Sequence, residues 1–288
     1  MVDTRKPAAA GRFYPGKGTR LRKKVEECFK SELGPGKIPE KGEIGDIRAG
    51  IVPHAGYDYS GPAASYFYSE LVESGIPDTV VVMGTMHTPV REKKPGITTK
   101  QDFKTPLGEL EVDKEVVEEL VAEKAVLNDP KPHRREHSIE VQLPFLQYFS
   151  SEFKLVPIGV PTKELEEAKR LGRALKNILG DKNAVYIAST DFSHCGMSYG
   201  QLPPGEKSAG EYAEEKDRKA IDRIENMKLQ ELFETIREEE ISICGPGAIY
   251  ALMSVLENGS NAELLKYYTS QELGSGSNAV GYASISFR

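Results

Sequence analysis

The 288-residue sequence has no tryptophan, three cysteines and five histidines. Three thiols in so long a chain do not make a disulfide scaffold, and a reducing cytoplasm is the expected location. No run of about 18 apolar residues occurs, so no transmembrane helix is expected. The opening stretch, MVDTRKPAAAGRFYPG, lacks the apolar centre of a signal peptide. A cationic excess is also missing: the net charge is −6 and the pI about 5.6. Nucleic acid and anionic membranes both require one, so neither is an expected partner. Two catalytic patterns are absent as well: there is no GxxxxGK[ST] phosphate loop and no HExxH pair.

What is present is a large apolar fraction, 39%, enough for a sizeable core. Residues 18–32 place Leu21, Val25, Cys28 and Phe29 on one face of an amphipathic helix. Beyond a Gly/Pro-rich connector at 34–46, strand and helix patterns alternate. RAGIVP (48–53), DTVVVMG (78–84), FKLVPIGV (153–160) and AVYIAST (184–190) read as strands, and such continuous apolar runs suit a sheet buried on both faces. A helix follows Gly61, another spans TKELEEAKRLGRALKNILG, residues 208–238 read as charged helices, and GPGAIYALMSVLENG forms one after Cys244. The tail, LLKYYTSQEL then AVGYASISFR, alternates as a hairpin or a pair of terminal strands. The expectation is an α/β fold, a mainly parallel sheet flanked by helices, with residues 1–288 forming one domain.

In open α/β sheets, ligands bind beyond the carboxyl ends of the strands. After RAGIV comes PHAGYDYSG with His54. After VVVMG comes TMHTP with His87. After VYIA comes STDFSHCG with Asp191, His194 and Cys195. The apolar run EISI, read as a fourth strand, ends in Cys244. Any one of these is ordinary: a loop histidine, or a small buried thiol. Their coincidence at four strand ends points to a shared site. Cys28 and Cys195 read as packing. His133 reads as exposed loop, because Pro130 and Pro132 argue against a helix there. His137, Glu140 and Gln142 read either as hydrogen-bonding support for a metal or substrate, or as a helix start packing through Ile139, Val141 and Leu143.

Two imidazoles and a thiolate can hold a divalent metal with positions left open, and the thiolate moves the preference toward Zn, Cu(I) or Fe. Asp191 and His194 then serve as acid/base groups. A rival chemistry makes Cys244 a nucleophile with His194 as base, its thiol activated at the start of the following helix. A third possibility is a binding module whose cleft holds a peptide or partner without turnover.

The segments RKPAAAGRFYPG (5–16), VPHAGYDYSGPAA (52–64), MGTMHT (83–88), EHSIEVQLPFLQ (136–147), STDFSHCG (189–196) and CGPGAIYALM (244–253) together resemble the Memo family across nearly the whole chain. The resemblance implies a fold similar to class III extradiol ring-cleaving dioxygenases, which hold iron(II) on two histidines and a glutamate. It implies His54, His87 and Cys244 as metal ligands for Fe(II) or Cu, with Zn compatible, and Asp191 and His194 as the catalytic neighbours. Cys244 stands where the dioxygenases carry glutamate, and Gln142 where eukaryotic members commonly carry histidine. The implied function is a metal-binding redox protein, dioxygenase-like, acting on a small molecule or binding a peptide. The partners implied are a radical S-adenosylmethionine protein and an AMMECR1-like protein.

Overall fold

The computed structural model describes residues 4–90, 94–180, 182–256 and 260–288. In chain order its strands are β1 (Thr4–Arg5), β2 (Ala49–Val52), β3 (Thr79–Thr85), β4 (Gly96–Thr98), β5 (Asp102–Thr105), β6 (Gly108–Leu110), β7 (Val126–Asn128), β8 (Lys154–Val160), β9 (Ala184–Ser189), β10 (His194–Gly196), β11 (Ala262–Thr269) and β12 (Asn278–Phe287). Its helices are α1 (Gly18–Lys30), α2 (Gly61–Glu73), α3 (Lys114–Ala122), α4 (Pro130–His133), α5 (Leu143–Phe149), α6 (Leu165–Leu179), α7 (Ala209–Glu225), α8 (Leu229–Glu238) and α9 (Pro246–Val255). Residues 257–259, the end of the helix expected after Cys244, lie outside the described residues.

The four apolar runs form the middle of a sheet ordered β10-β12-β2-β9-β3-β8-β4-β7, with β11 on the other side of β12. Successive side chains of a strand face opposite ways, and both faces here are covered. On one, Val81, Met83, Val156 and Ile158 pack with Leu171 of α6 and Ile249 and Leu252 of α9. On the other, Val80, Val82, Val185 and Ile187 pack with Leu21, Phe29 and Phe67. Two apolar faces explain why these strands carry unbroken hydrophobic runs. The α/β expectation holds, and parallel pairing occupies the centre, β2-β9-β3-β8. Antiparallel pairs border that centre: β12 pairs β2, β10 and β11, and β4 pairs β8, while β7 lies parallel to β4 at the edge. The tail forms the expected strand pair. Among the described residues no helix is long and apolar enough to cross a membrane.

Two local expectations are overturned. Ile241–Ile243 is not a strand; Ile241 and Ile243 are buried in the core, but the segment has no ladder partner among the described residues and runs irregularly into α9. His133 is not exposed. It closes the short helix α4, which tolerates Pro130 in its first turn, and its Nε2 meets the Ile97 carbonyl at 3.1 Å in a buried setting.

The N-terminal segment is pinned by a buried ion pair. Arg5 Nη1 donates to Glu140 Oε2 at 2.5 Å, Arg5 Nε to the His133 carbonyl at 2.6 Å and Arg5 Nη2 to the Glu136 carbonyl at 2.5 Å. Glu140 also accepts from the N–H groups of Ala8 (2.7 Å) and Ala9 (2.8 Å) and from the Tyr14 hydroxyl. Removing one member strands the other charge in the interior, so Arg5→Ala is expected to cost about 3–5 kcal/mol in urea unfolding; a loss under about 1 kcal/mol would mean water reaches Glu140.

Asp217 of α7 is fully buried and accepts from Ser193 N–H at 3.0 Å and the Tyr267 hydroxyl at 2.9 Å. Burial pushes its carboxyl up to about 7, with those hydrogen bonds opposing. The folded chain thus keeps a proton that an unfolded aspartate has already lost near 3.8. The contribution is complete below about pH 4 and is lost as pH rises through about 7. Comparing wild-type and Asp217→Asn denaturation midpoints between these values should show the variant's profile flatter over that window; parallel profiles would refute the raised pKa.

Candidate metal centre

Strands β2, β9 and β3 are parallel neighbours in that order, about 4.8 Å apart. Their carboxyl ends therefore deliver His54, Asp191 and His87 side by side. The loop before α5 joins them from above β3. Gly84 makes this possible, because a Cβ there would sit 2.4 Å from Ser138 Oγ and 2.8 Å from Ile139 Cγ1.

That loop brings the residue that sequence reasoning placed only in a supporting role. His54, His87 and His137 form a group whose donor atoms all lie within 4.8 Å of one another. His87 and His137 stack at 4.5 Å between centroids, and His54 meets both edge-on at 5.2 and 5.4 Å. Phe13 stacks on the outer face of His137 at 4.1 Å.

Hydrogen bonds fix how each ring presents itself. The Ser189 hydroxyl donates to the Ser138 carbonyl at 2.6 Å and accepts from Gln142 Nε2 at 2.8 Å. Its proton is thus committed elsewhere, and it can only accept from His54 Nδ1 at 3.3 Å. Gln142 is itself oriented: Nε2 also donates to the Pro53 carbonyl at 3.0 Å, and Oε1 accepts from Tyr68 at 2.8 Å. With its proton on Nδ1, His54 carries a lone pair on Nε2. That atom is buried, and among the described residues nothing bonds to it.

Glu136 does the same work for the His87 ring and anchors the backbone of His137. It accepts from the N–H groups of His87 (2.7 Å), His137 (2.8 Å) and Ser138 (3.0 Å), and from His87 Nδ1 at 3.0 Å. Burial acts to raise its pKa, but the bonds from His87 and Ser138 outweigh it and hold the carboxyl below the usual range. The carboxylate accepts a hydrogen bond from His87 Nδ1–H, which leaves the Nε2 lone pair free to bind a metal. Burial lowers the pKa of His54, and burial with the nearby His54 lowers that of His137 to about 3. Both rings are therefore neutral, the form that binds metal.

Asp191 Oδ1 accepts from the N–H groups of His54 (2.7 Å) and Ala55 (3.2 Å), and its carbonyl accepts from Cys244 N–H at 3.1 Å. It ties three of the segments together. His194 Nδ1 donates to the Phe192 carbonyl at 2.9 Å, which leaves Nε2 as an acceptor 3.6 Å from Cys244 Sγ. Cys244 lines the same cavity of about 400 Å³ as the three histidines, Asp191 and His194, but stands against His194 and outside the three-histidine group. The activated thiol that the rival chemistry needs is not found: burial first, then Asp191, raise the Cys244 pKa. Glu140 also departs from its expected place, since it serves Arg5 and Tyr14. Glu136 was the functional group the sequence reading missed. Its signal was its position inside EHSIEVQ, directly before His137.

With this geometry in place, relatives can be compared. The family described as Memo-like protein matches residues 5–286. MEMO1 family proteins of Methanopyrus kandleri and Methanothermobacter thermautotrophicus are 41% and 38% identical, covering 99% and 98% of this chain and 99% of each relative. One from Sulfurisphaera tokodaii is 39% identical over 98% of this chain and 99% of its own. An uncharacterized Escherichia coli K12 protein of known structure has a TM-score of 0.52 at 12% identity, covering 84% of this chain and 99% of that one, a likeness of fold alone.

A protonated Cys244 thiol should react with iodoacetamide at pH 7 at least about tenfold more slowly than an unstructured peptide thiol. Its rate, followed by peptide mass spectrometry, should still be climbing above pH 9, the ordinary thiol value. Reaction as fast as the peptide's would restore the nucleophile reading.

Proposed function

The chain belongs to the Memo family, and from that premise and the three converging imidazoles we propose that it is a metal-binding redox protein acting on a small molecule. The observation that carries the reading is His54 Nε2, a buried lone pair with no partner among the described residues. An unsatisfied buried acceptor costs about 1–3 kcal/mol, a cost that a bound cation removes. His54 and His87 are the first two ligands of this reading. His137 is the nearest third nitrogen, and Cys244 is the third donor implied by the family resemblance. Imidazole donors suit iron, copper and zinc, and a thiolate favours iron, Cu(I) or zinc. When bound, iron or copper supplies Lewis acidity and one-electron chemistry.

The chain's own residues do the rest. Glu136 and the Ser189–Gln142 pair hold the His87 and His54 rings in the tautomers described above. His194 Nε2, an acceptor among the cavity-lining groups, takes a proton from a bound ligand and can return it. Asp191 keeps the His54 and Cys244 segments in register. Phe13, Tyr282 and Val280 supply an apolar wall that limits water.

A second reading, a binding cleft without turnover, is favoured by Tyr59 and Tyr199. Both line this cavity yet remain 54% and 47% exposed, as aromatic groups awaiting a peptide would be.

Metal analysis of anaerobically purified protein separates the two. Wild type is expected to carry iron or copper near one per chain, and His54→Ala and His87→Ala to lose it. His137→Ala and Cys244→Ser identify the third donor by which one loses metal. Glu136→Gln is expected to weaken affinity by about 10–100-fold. Equal, negligible metal in wild type and all variants would leave the cleft reading.

A further inference from the structure

Cys244 and His194 line a second cavity as well, of about 300 Å³. Apolar Ile241 and Ile243 and the ring of Tyr250 form much of its wall, and two cations, Lys163 and Arg237, complete it. No carboxylate is among its lining residues. The Arg237 guanidinium rests over the Phe233 ring, 5.3 Å from its centre, which holds the group in place without neutralising it. Two cations with no carboxylate beside them give this small cavity, next to a thiol and an imidazole, a positive lining that an anion would satisfy.

We infer that this second cavity is an anion subsite, and that Lys163 and Arg237 receive the carboxylate or phosphate group of a small organic anion beside Cys244 and His194. It names the substrate class for the redox reading, and it rests on that reading only in assigning the anion's reacting end to the histidine cavity.

Alkylation of Cys244 by a charged and a neutral reagent of nearly the same size tests it. In either case the sulfur attacks the methylene carbon, the carbon–iodine bond breaks, iodide leaves and the thiol proton passes to His194 or buffer. Rates with iodoacetate and iodoacetamide are measured by peptide mass spectrometry on the full-length protein at pH 9, as purified and after dialysis against a chelator. The ratio of the two rates cancels any change in thiol pKa, which affects both reagents alike. The iodoacetate-to-iodoacetamide ratio is expected to exceed that of glutathione by about threefold or more. Lys163→Ala and Arg237→Ala, both at exposed positions, should each bring it back toward the glutathione value. Acetate and inorganic phosphate are added as competitors: the one that slows iodoacetate more strongly identifies the group the subsite takes. A wild-type ratio no higher than glutathione's, no change in either variant, no competition by either anion, or no modification of Cys244 at all would each overturn the subsite. Metal content, read on the same preparations, should be unchanged in both variants, so failure of the redox reading shows separately.

Discussion

A charge that cannot reach water dictates much of this architecture. Glu140 is fully buried, and it is tolerable there only because Arg5, the N–H groups of Ala8 and Ala9 and the Tyr14 hydroxyl surround it. Those partners come from the first turns of the chain, and Glu140 comes from the loop that carries Glu136 and His137. One interaction thus closes the N-terminal segment over the site loop. Phe13 lands on His137, and Arg5 reaches the carbonyls of both His133 and Glu136. Packing alone would not fix that register, since apolar contacts are nondirectional while a guanidinium fork is not.

Within that frame the site is a meeting of neutral rings around a charged support. Burial keeps His54 and His137 unprotonated, while Glu136 stays ionised through its N–H donors. The outcome is a cavity with lone pairs facing in and their compensating protons facing out. Cys244 and His194 sit at the boundary between this cavity and its cationic neighbour.

How much of this was legible depended on the physical signal. The central strands were plain because both faces are buried, which forces continuous apolar runs. The same signal misled at Ile241–Ile243, where side chains are equally buried but the backbone joins no ladder among the described residues; apolarity reports burial, not ladder pairing. His54, His87, Asp191, His194 and Cys244 could be gathered because they follow apolar runs. All five line one cavity. His137 and Glu136 follow no strand. Their place is set by Arg5 and Glu140, more than a hundred residues apart in the chain, and no local pattern encodes that contact. His133 was misjudged because its prolines were weighed as helix breakers, whereas the first turn accepts them.

The support behind His54 has a further consequence. It runs from the Tyr68 phenol through the Gln142 amide to the Ser189 hydroxyl. A primary amide neither gains nor loses a proton under ordinary conditions, and this one is locked between an acceptor carbonyl and a donor phenol. The row of hydrogen bonds is therefore an insulator: it transmits orientation and conducts no protons. A proton exchanged at His54 must therefore come and go on its cavity side, at Nε2.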